Sequence, residues 1–281
     1  MSAIPTLLRA ALPSIPVVNQ LPGVKKAPVE GFSGLTRTRP PVTVERAAVD
    51  AYAAVCGFPR KDVVPLPYPH LLVFDLQMAI MSDQAFPEPA IGTVHLENSI
   101  TQHRPIAVGE TLDVVARVGA PVPHAKGRVY EFVTEVRSGG EVVWEETSAY
   151  LRRGRGAEGA SYGMALPDAA PSPLRWPLPA DLGRRYAAVS GDANPIHLYP
   201  VTAKALGFPR QIAHGMWTMA RCVAALENRL PDAVRVDVAF KKPVLLPGTV
   251  VFGSTPLDDG FAFGLTSPSG KPHLAGRTTA L

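Results

Sequence analysis

Tyr186-Ala-Ala-Val-Ser-Gly-Asp-Ala-Asn-Pro-Ile-His197 has a partial double earlier in the chain, Tyr52-Ala-Ala-Val-Cys-Gly57, which differs over the shared six residues only at Cys56/Ser190. Two more anchors follow in the same order. Arg104-Pro105-Ile106 with Gly109 and Thr111 resembles Lys242-Pro243-Val244 with Gly248 and Thr249. The run 131–151, with its Ser-Gly-Gly turn, lies against 261–281, with its Pro-Ser-Gly turn. The spacings of 134, 138 and 130 residues differ only as loops would. Three anchors in register make the chain an internal duplication.

Each copy shows the same order of elements. A helical stretch (44–55, 180–189) precedes a second, apolar helix (71–81, 214–227). Alternating β-branched runs follow, at 111–118, 129–136 and 142–150 in the first copy and 234–240, 250–254, 261–266 and 273–279 in the second. Helix and then consecutive strands, without strand–helix alternation, implies an α+β fold, a mostly antiparallel sheet closed around one long helix and made twice. Residues 1–151 and 180–281 read as the two halves, and 152–179, rich in Gly, Ala and Pro, as their linker.

Composition narrows the function classes. A chain of 281 residues, 46% hydrophobic and only 19% charged, has the makings of a large core rather than of disorder. The net charge of +4 is spread without a basic stripe, so nucleic acid is not an expected partner. No apolar run approaches the roughly 20 residues of a membrane span. Residues 1–18 lack a basic n-region and are broken by Pro5, Pro13 and Pro16, so no secretory leader is expected. Cys56 and Cys222 form no CxxC pair, and the seven histidines show no ligand spacing, so neither a metal nor a disulfide is expected and the compartment reads as cytoplasmic. Neither GxGxxG nor a P-loop occurs, and no cofactor is implied.

The chemistry concentrates after the second Tyr-Ala-Ala-Val. A helix ends near Ser190-Gly191, and Asp192 and His197 then sit five residues apart on a loop held by Asn194-Pro195. Asn-Pro favours a turn and restrains the backbone on both sides, so the loop can aim a carboxylate and an imidazole at one point. General acid–base chemistry needs such a pair. Alone, Asp192 would read as a turn carboxylate and His197 as a half-buried structural histidine. Asn194 reads as a brace of the loop, and His214 equally as an orienting or a packing residue.

Ser190-Gly-Asp-Ala-Asn-Pro-Ile-His197, with Ala213-His-Gly-Met216 downstream and Phe240-Lys-Lys-Pro-Val-Leu-Leu-Pro-Gly248 beyond, resembles the hydratase-2 motif of the MaoC-like dehydratases. The resemblance covers 181–281 directly and reaches the first half through the repeat, which makes the whole chain similar to the double-hot-dog members, including actinobacterial 3-hydroxyacyl-thioester dehydratases. It implies a tandem hot-dog fold, two antiparallel sheets each wrapped around a central helix. It also implies reversible syn dehydration of (3R)-3-hydroxyacyl thioesters to trans-2-enoyl thioesters in fatty-acid metabolism. Carried over by position, Asp192 and His197 are the acid/base pair, and the Gly215 N–H polarises the thioester carbonyl. A helix N-terminus suits that role, since it offers unpaired N–H groups to a developing negative charge. One departure stands: Val223 occupies a position where some relatives carry serine.

Around this core the expectations are looser. Arg210, Lys241 and Lys242 are candidates for the phosphates of coenzyme A or of an acyl carrier protein's phosphopantetheine. The ungapped repeat sets Phe58 and Val63 opposite Asp192 and His197, so the first half is expected to be catalytically empty, with His70, His95 and His103 structural. Its apolar helix is expected to favour medium or long acyl chains. The fused halves could act as a monomeric pseudo-dimer or pair again as a homodimer. A hot-dog thioesterase and a non-catalytic acyl-thioester-binding protein are the alternatives, and enoyl absorbance against thiol release separates all three.

Overall fold

A computed structural model describes residue 32 and residues 34–89, 92–170 and 173–281; the run 1–18 read above for a leader lies outside them. The first half runs β1 (Leu35–Thr43), α1 (Arg46–Cys56), α2 (His70–Ser82), β2 (Thr93–Gln102), β3 (Thr111–Val118), β4 (Val122–His124), β5 (Gly127–Ser138) and β6 (Glu141–Arg153). The second runs β7 (Arg175–Leu178), α3 (Leu182–Ser190), α4 (Pro195–Leu198), α5 (Pro200–Ala205), α6 (Gly215–Leu226), β8 (Val234–Phe240), β9 (Gly248–Leu257), β10 (Gly260–Thr266) and β11 (Pro272–Ala280). A helix is followed by antiparallel strands in each half, as the hot-dog fold requires.

Local pattern accounts for most of these elements. In β3, buried and open positions alternate along Thr-Leu-Asp-Val-Val-Ala-Arg-Val, so one face meets the core. Helix α1 buries Val49, Tyr52, Ala53 and Cys56, a single stripe at helical spacing. Helices α1 and α3 stop at Gly57 and Gly191, both left-handed, whose N–H groups donate to Ala53 and Ala187 carbonyls. The duplicated Tyr-Ala-Ala-Val-x-Gly is therefore a helix end made twice.

The two sheets are one. The strands run β1-β3-β5-β6-β2-β8-β11-β10-β9-β7, and the halves join where β2 pairs antiparallel with β8, from Glu97↔Ala239 to Gln102↔Val234. The repeated tyrosines meet across this joint, Tyr52 and Tyr186 lying 6.3 Å apart, and Trp217 Nε1 donates to the Val55 carbonyl at 3.0 Å. A single core cluster spans both halves.

Strands β1, β2, β4 and β7 were not among those that the hydrophobic pattern marked. Strand β2 buries Glu97, Asn98, Ser99 and Gln102, so its sequence reads as polar although it lies at the centre of the sheet. Strand β7 falls within the stretch read as linker, yet Trp176 stacks on Phe252 at 5.0 Å as β7 pairs with β9.

Candidate active site

The segment that carries His197 is an insertion. The isolated bridge Val63↔Ala107 in the first half corresponds to Ile212↔Leu245 in the second, as do the bonds from Val64 N–H to the Ile106 carbonyl and from Ala213 N–H to the Val244 carbonyl. Val63 and Ile212 are 149 residues apart, against 134 for Tyr52 and Tyr186, so the second copy holds 15 extra residues between helix end and bridge. Those residues carry α4 and α5. Val63 is therefore the counterpart of Ile212 rather than of His197, which corrects the ungapped alignment. The first half lacks the segment that carries His197.

Side chains and backbone lock the loop that follows α3. The Asp192 N–H donates to Ser190 Oγ at 3.2 Å, and Asn194 N–H to Asp192 Oδ1 at 3.1 Å. Asn194 Oδ1 then accepts from Ile196 N–H at 3.3 Å and caps α4, with Pro195 at its first position. Close contact seats α4 on α3: a Cβ on Gly183 would lie 2.0 Å from the His197 carbonyl oxygen. Only glycine allows that approach. Gly183 is a positioning residue that the motif did not reveal.

This scaffold sets both histidines. His197 is buried and donates Nδ1–H to the Ile212 carbonyl at 2.8 Å, so in the neutral ring Nε2 keeps a lone pair. His214, also buried, donates Nε2–H to the Asp192 carbonyl at 3.0 Å, and the same nitrogen lies 3.7 Å from Asp192 Oδ2. The two imidazoles stack at 3.7 Å, inclined by 24°. Burial lowers the pKa of His197, opposed by the Asp192 charge; burial, then the neighbouring His197, pushes that of His214 down to about 3. Two stacked rings of this kind cannot both be cations near neutrality. Asp192 is more open, its side chain 22% exposed.

Asp192, His197 and His214 have donor atoms within 4.8 Å of one another. One nitrogen of each ring is already committed to a backbone carbonyl. The remaining lone pairs lie in the planes of two nearly parallel rings and do not converge, which is a poor cage for a metal.

Gly215 opens α6, with His214 as its N-cap. Its N–H has no acceptor within the helix. A Cβ there would meet the Phe240 ring at 3.2 Å, so glycine lets Phe240 pack against this helix end. Val223 is fully buried on the same helix, an apolar core position. Phe240 leads to the first half: His95 packs on Phe240 at 4.9 Å and stacks on Tyr150 at 4.5 Å. Tyr150 is buried, and the charges of Glu146 and Asp192 add to that burial in raising its pKa. Sequence carried no sign that Tyr150 borders the site, because it stands 42 residues from Asp192 on a different half.

Of the N-terminal histidines His70, His95 and His103, the first and last have carboxylate partners, supplied by the fold rather than by motif spacing, and His95 has none among the described residues. His70 Nδ1 bonds Glu146 Oε1 at 2.7 Å, in a buried group where Asn98 Nδ2 and Gln77 Nε2 also donate to Glu146. His103 Nε2 lies 2.7 Å from Glu145 at the surface. Arg210, Lys241 and Lys242 are all exposed; Arg210 precedes the buried Gln211, and the lysines follow Phe240.

The geometry defines a hot-dog protein in which the loop carrying Asp192 and His197 lies beside a helix N-terminus. Comparison with known proteins agrees: the MaoC like domain matches residues 166–257. The chain is 39% identical, over all of its length and 99% of the relative's, to 3-hydroxyacyl-thioester dehydratase X of Mycobacterium tuberculosis. The crystal structure of HtdX from that organism superposes with a TM-score of 0.78 at 38% identity, over 88% of this chain and 100% of the other. A MaoC-like dehydratase from Phytophthora capsici shares the fold, with a TM-score of 0.70 at 20% identity over 89% and 95% of the two chains. The chain belongs to the MaoC-like dehydratases.

Proposed function

We propose that this protein interconverts (3R)-3-hydroxyacyl and trans-2-enoyl thioesters, with Asp192 and His197 handling the protons and the Gly215 N–H facing the thioester oxygen. The observation that carries this is the fixed tautomer of His197. Its Nδ1–H is held by the Ile212 carbonyl, which leaves Nε2 as a base beside the carboxylate of Asp192. In hydration, the water oxygen bonds to C3 while one of its protons is taken up at the Asp192/His197 pair, and C2 gains a proton on the same face. Negative charge passes transiently to the carbonyl oxygen, where an N–H at a helix end stabilises it. The elements of water add and nothing is oxidised or reduced, so the reaction calls for no redox cofactor. Water held on one face gives the 3R product alone.

The acyl group arrives on coenzyme A or a carrier protein, in fatty-acid metabolism. We place the protein in the cytoplasm, where its two cysteines stay free and buried, acting as a monomeric pseudo-dimer or a homodimer.

Crotonyl-CoA tests the reading. Loss of enoyl absorbance without thiol release, giving only 3R-hydroxybutyryl-CoA, supports it. Thiol release, or a 3S or racemic product, overturns it. Asp192→Asn and His197→Gln should each lower kcat by about 10²–10⁴ with the fold intact, and near-normal turnover in either would remove that residue from the chemistry.

A further inference from the structure

A second constellation lies at the same end of the sheet as the Asp192 loop, on the half that has no acid–base pair. Gly127 and Arg128 at the start of β5, Arg152 and Arg153 at the end of β6, and then Gly154 and Arg155 line a cleft of about 190 Å³ with Glu88. Strand register puts Arg128 opposite Arg152 and Gly127 opposite Arg153. Four arginines thus line a cleft that holds one carboxylate.

Glu88 is already taken, by Arg128 at 2.7 Å and by Arg152 at 3.7 Å. Arg153 and Arg155 have no carboxylate within ion-pair distance among the described residues. Lys126 stands beside them, its carbonyl accepting from Gly154 N–H at 3.1 Å. Clustered cations repel one another, and a concave wall of fork-shaped donors with surplus charge has the chemistry of a phosphate site.

The fold sets the distance to the chemistry. In the order β5-β6-β2-β8, three strand spacings separate Arg128 from the end of β8, about 14 Å. At that end of β8, the Phe240 ring lies against Gly215. Between them stand His95 on β2 and Tyr150 on β6, the latter two residues before Arg152 and on the same side of the strand. A pantetheine arm that left the site in this direction would end at the arginines.

Resting on the acyl-thioester reading, we propose that the cleft of Arg128, Arg152, Arg153 and Arg155 binds the phosphate of the thioester's carrier. The half without catalytic residues grips the carrier while the other half does the chemistry. The phosphates of coenzyme A and the phosphopantetheine of a carrier protein present the same group.

The test compares the full-length wild type with Arg153→Glu/Arg155→Glu, and with Lys241→Glu/Lys242→Glu as the rival patch. Titration calorimetry with adenosine 3′,5′-bisphosphate reads the cleft without turnover. The arginine variant should bind about tenfold more weakly or worse, and the lysine variant within about threefold of wild type. In kinetics, the arginine variant should raise KM for crotonyl-CoA by about tenfold with little change in kcat. It should leave the phosphate-free N-acetylcysteamine thioester unaffected. A KM change confined to the acyl-carrier-protein thioester upholds the cleft and names the carrier protein as source. Bisphosphate binding and both carrier thioesters unchanged, or binding lost only in the lysine variant, overturns the proposal. Arginine-dependent bisphosphate binding in a protein that hydrates no enoyl thioester would overturn the dehydratase reading and leave the cleft standing.

Discussion

At the scale of single residues, the site depends on close approach as much as on its reactive groups. Gly183 contributes no chemistry, yet a methyl group there would collide with the His197 carbonyl. Gly183→Ala is expected to destabilise the protein by about 1–3 kcal/mol and to lower kcat, because relief requires α4 to move away from α3. Urea unfolding and crotonyl-CoA turnover check both effects, and a variant with unchanged stability and rate would show that α4 is not seated by this contact. The histidines predict a pH dependence. The pKa values of His214 and His95 are pushed from 6.5 down to about 3, mainly by burial. The unfolded chain therefore binds protons that the folded one does not as pH falls from 6.5 towards 3, and stability decreases through that window. Urea midpoints measured from about pH 7.5 to about pH 5 should fall, with a shallower slope in His95→Asn. A midpoint that is flat in the wild type would contradict the neutral, buried state of both rings. The motif made Asp192, His197 and Gly215 legible because each lies on one short stretch. His214 as a partner, Gly183 and Tyr150 were not legible, because their roles come from what the chain brings beside them.

At the scale of elements, the polar face of α2 is the feature that hydrophobic pattern misjudged. His70 and Gln77 point inward, to Glu146 on β6. The buried carboxylate gathers three donors, so cutting it back would strand them without water. Glu146→Ala is expected to cost about 3–5 kcal/mol, and Glu146→Gln distinctly less. Equal losses in chemical denaturation would mean that the network is not what holds α2 on the sheet. The same network tempers the expected taste for long acyl chains, since α2 offers Phe74, Met78 and Met81 but not a wholly apolar wall. Each methylene buried against hydrocarbon is worth about 0.8 kcal/mol, and against bonded polar groups less. The kcat/KM series from roughly four to sixteen carbons should therefore rise only briefly before levelling, whereas a steep rise throughout would place the chain away from Gln77 and Glu146. Strand β2 belongs here too. Its buried Asn98 and Ser99 donate to Glu146, Ser148 and Asp237, so partners on the two flanking strands hold a segment that has no apolar alternation of its own.

At the scale of the whole molecule, the halves are not separable units. They share a continuous sheet through β2 and β8, a common core, and the contact between Tyr52 and Tyr186. A fragment of residues 174–281 would leave the β8 edge and the inner helix faces without their partner. It is expected to aggregate or to dimerise in size-exclusion chromatography; a folded monomer would show that the first half is dispensable for stability. The sequence alone determined the duplication, the order of helix and then strands, and the motif that sets Asp192 and His197 on one loop. Repetition, periodicity and a contiguous motif are written along the chain, and they need no knowledge of what lies across the fold. Tertiary structure alone decided that the two sheets fuse, that the segment carrying His197 is an insertion rather than a substitution, and that burial disfavours the charged form of both histidines. It also decided that Arg128, Arg152, Arg153 and Arg155 gather around one cleft. Each of these rests on contacts between residues far apart in sequence, and on burial that changes the charge a group can hold.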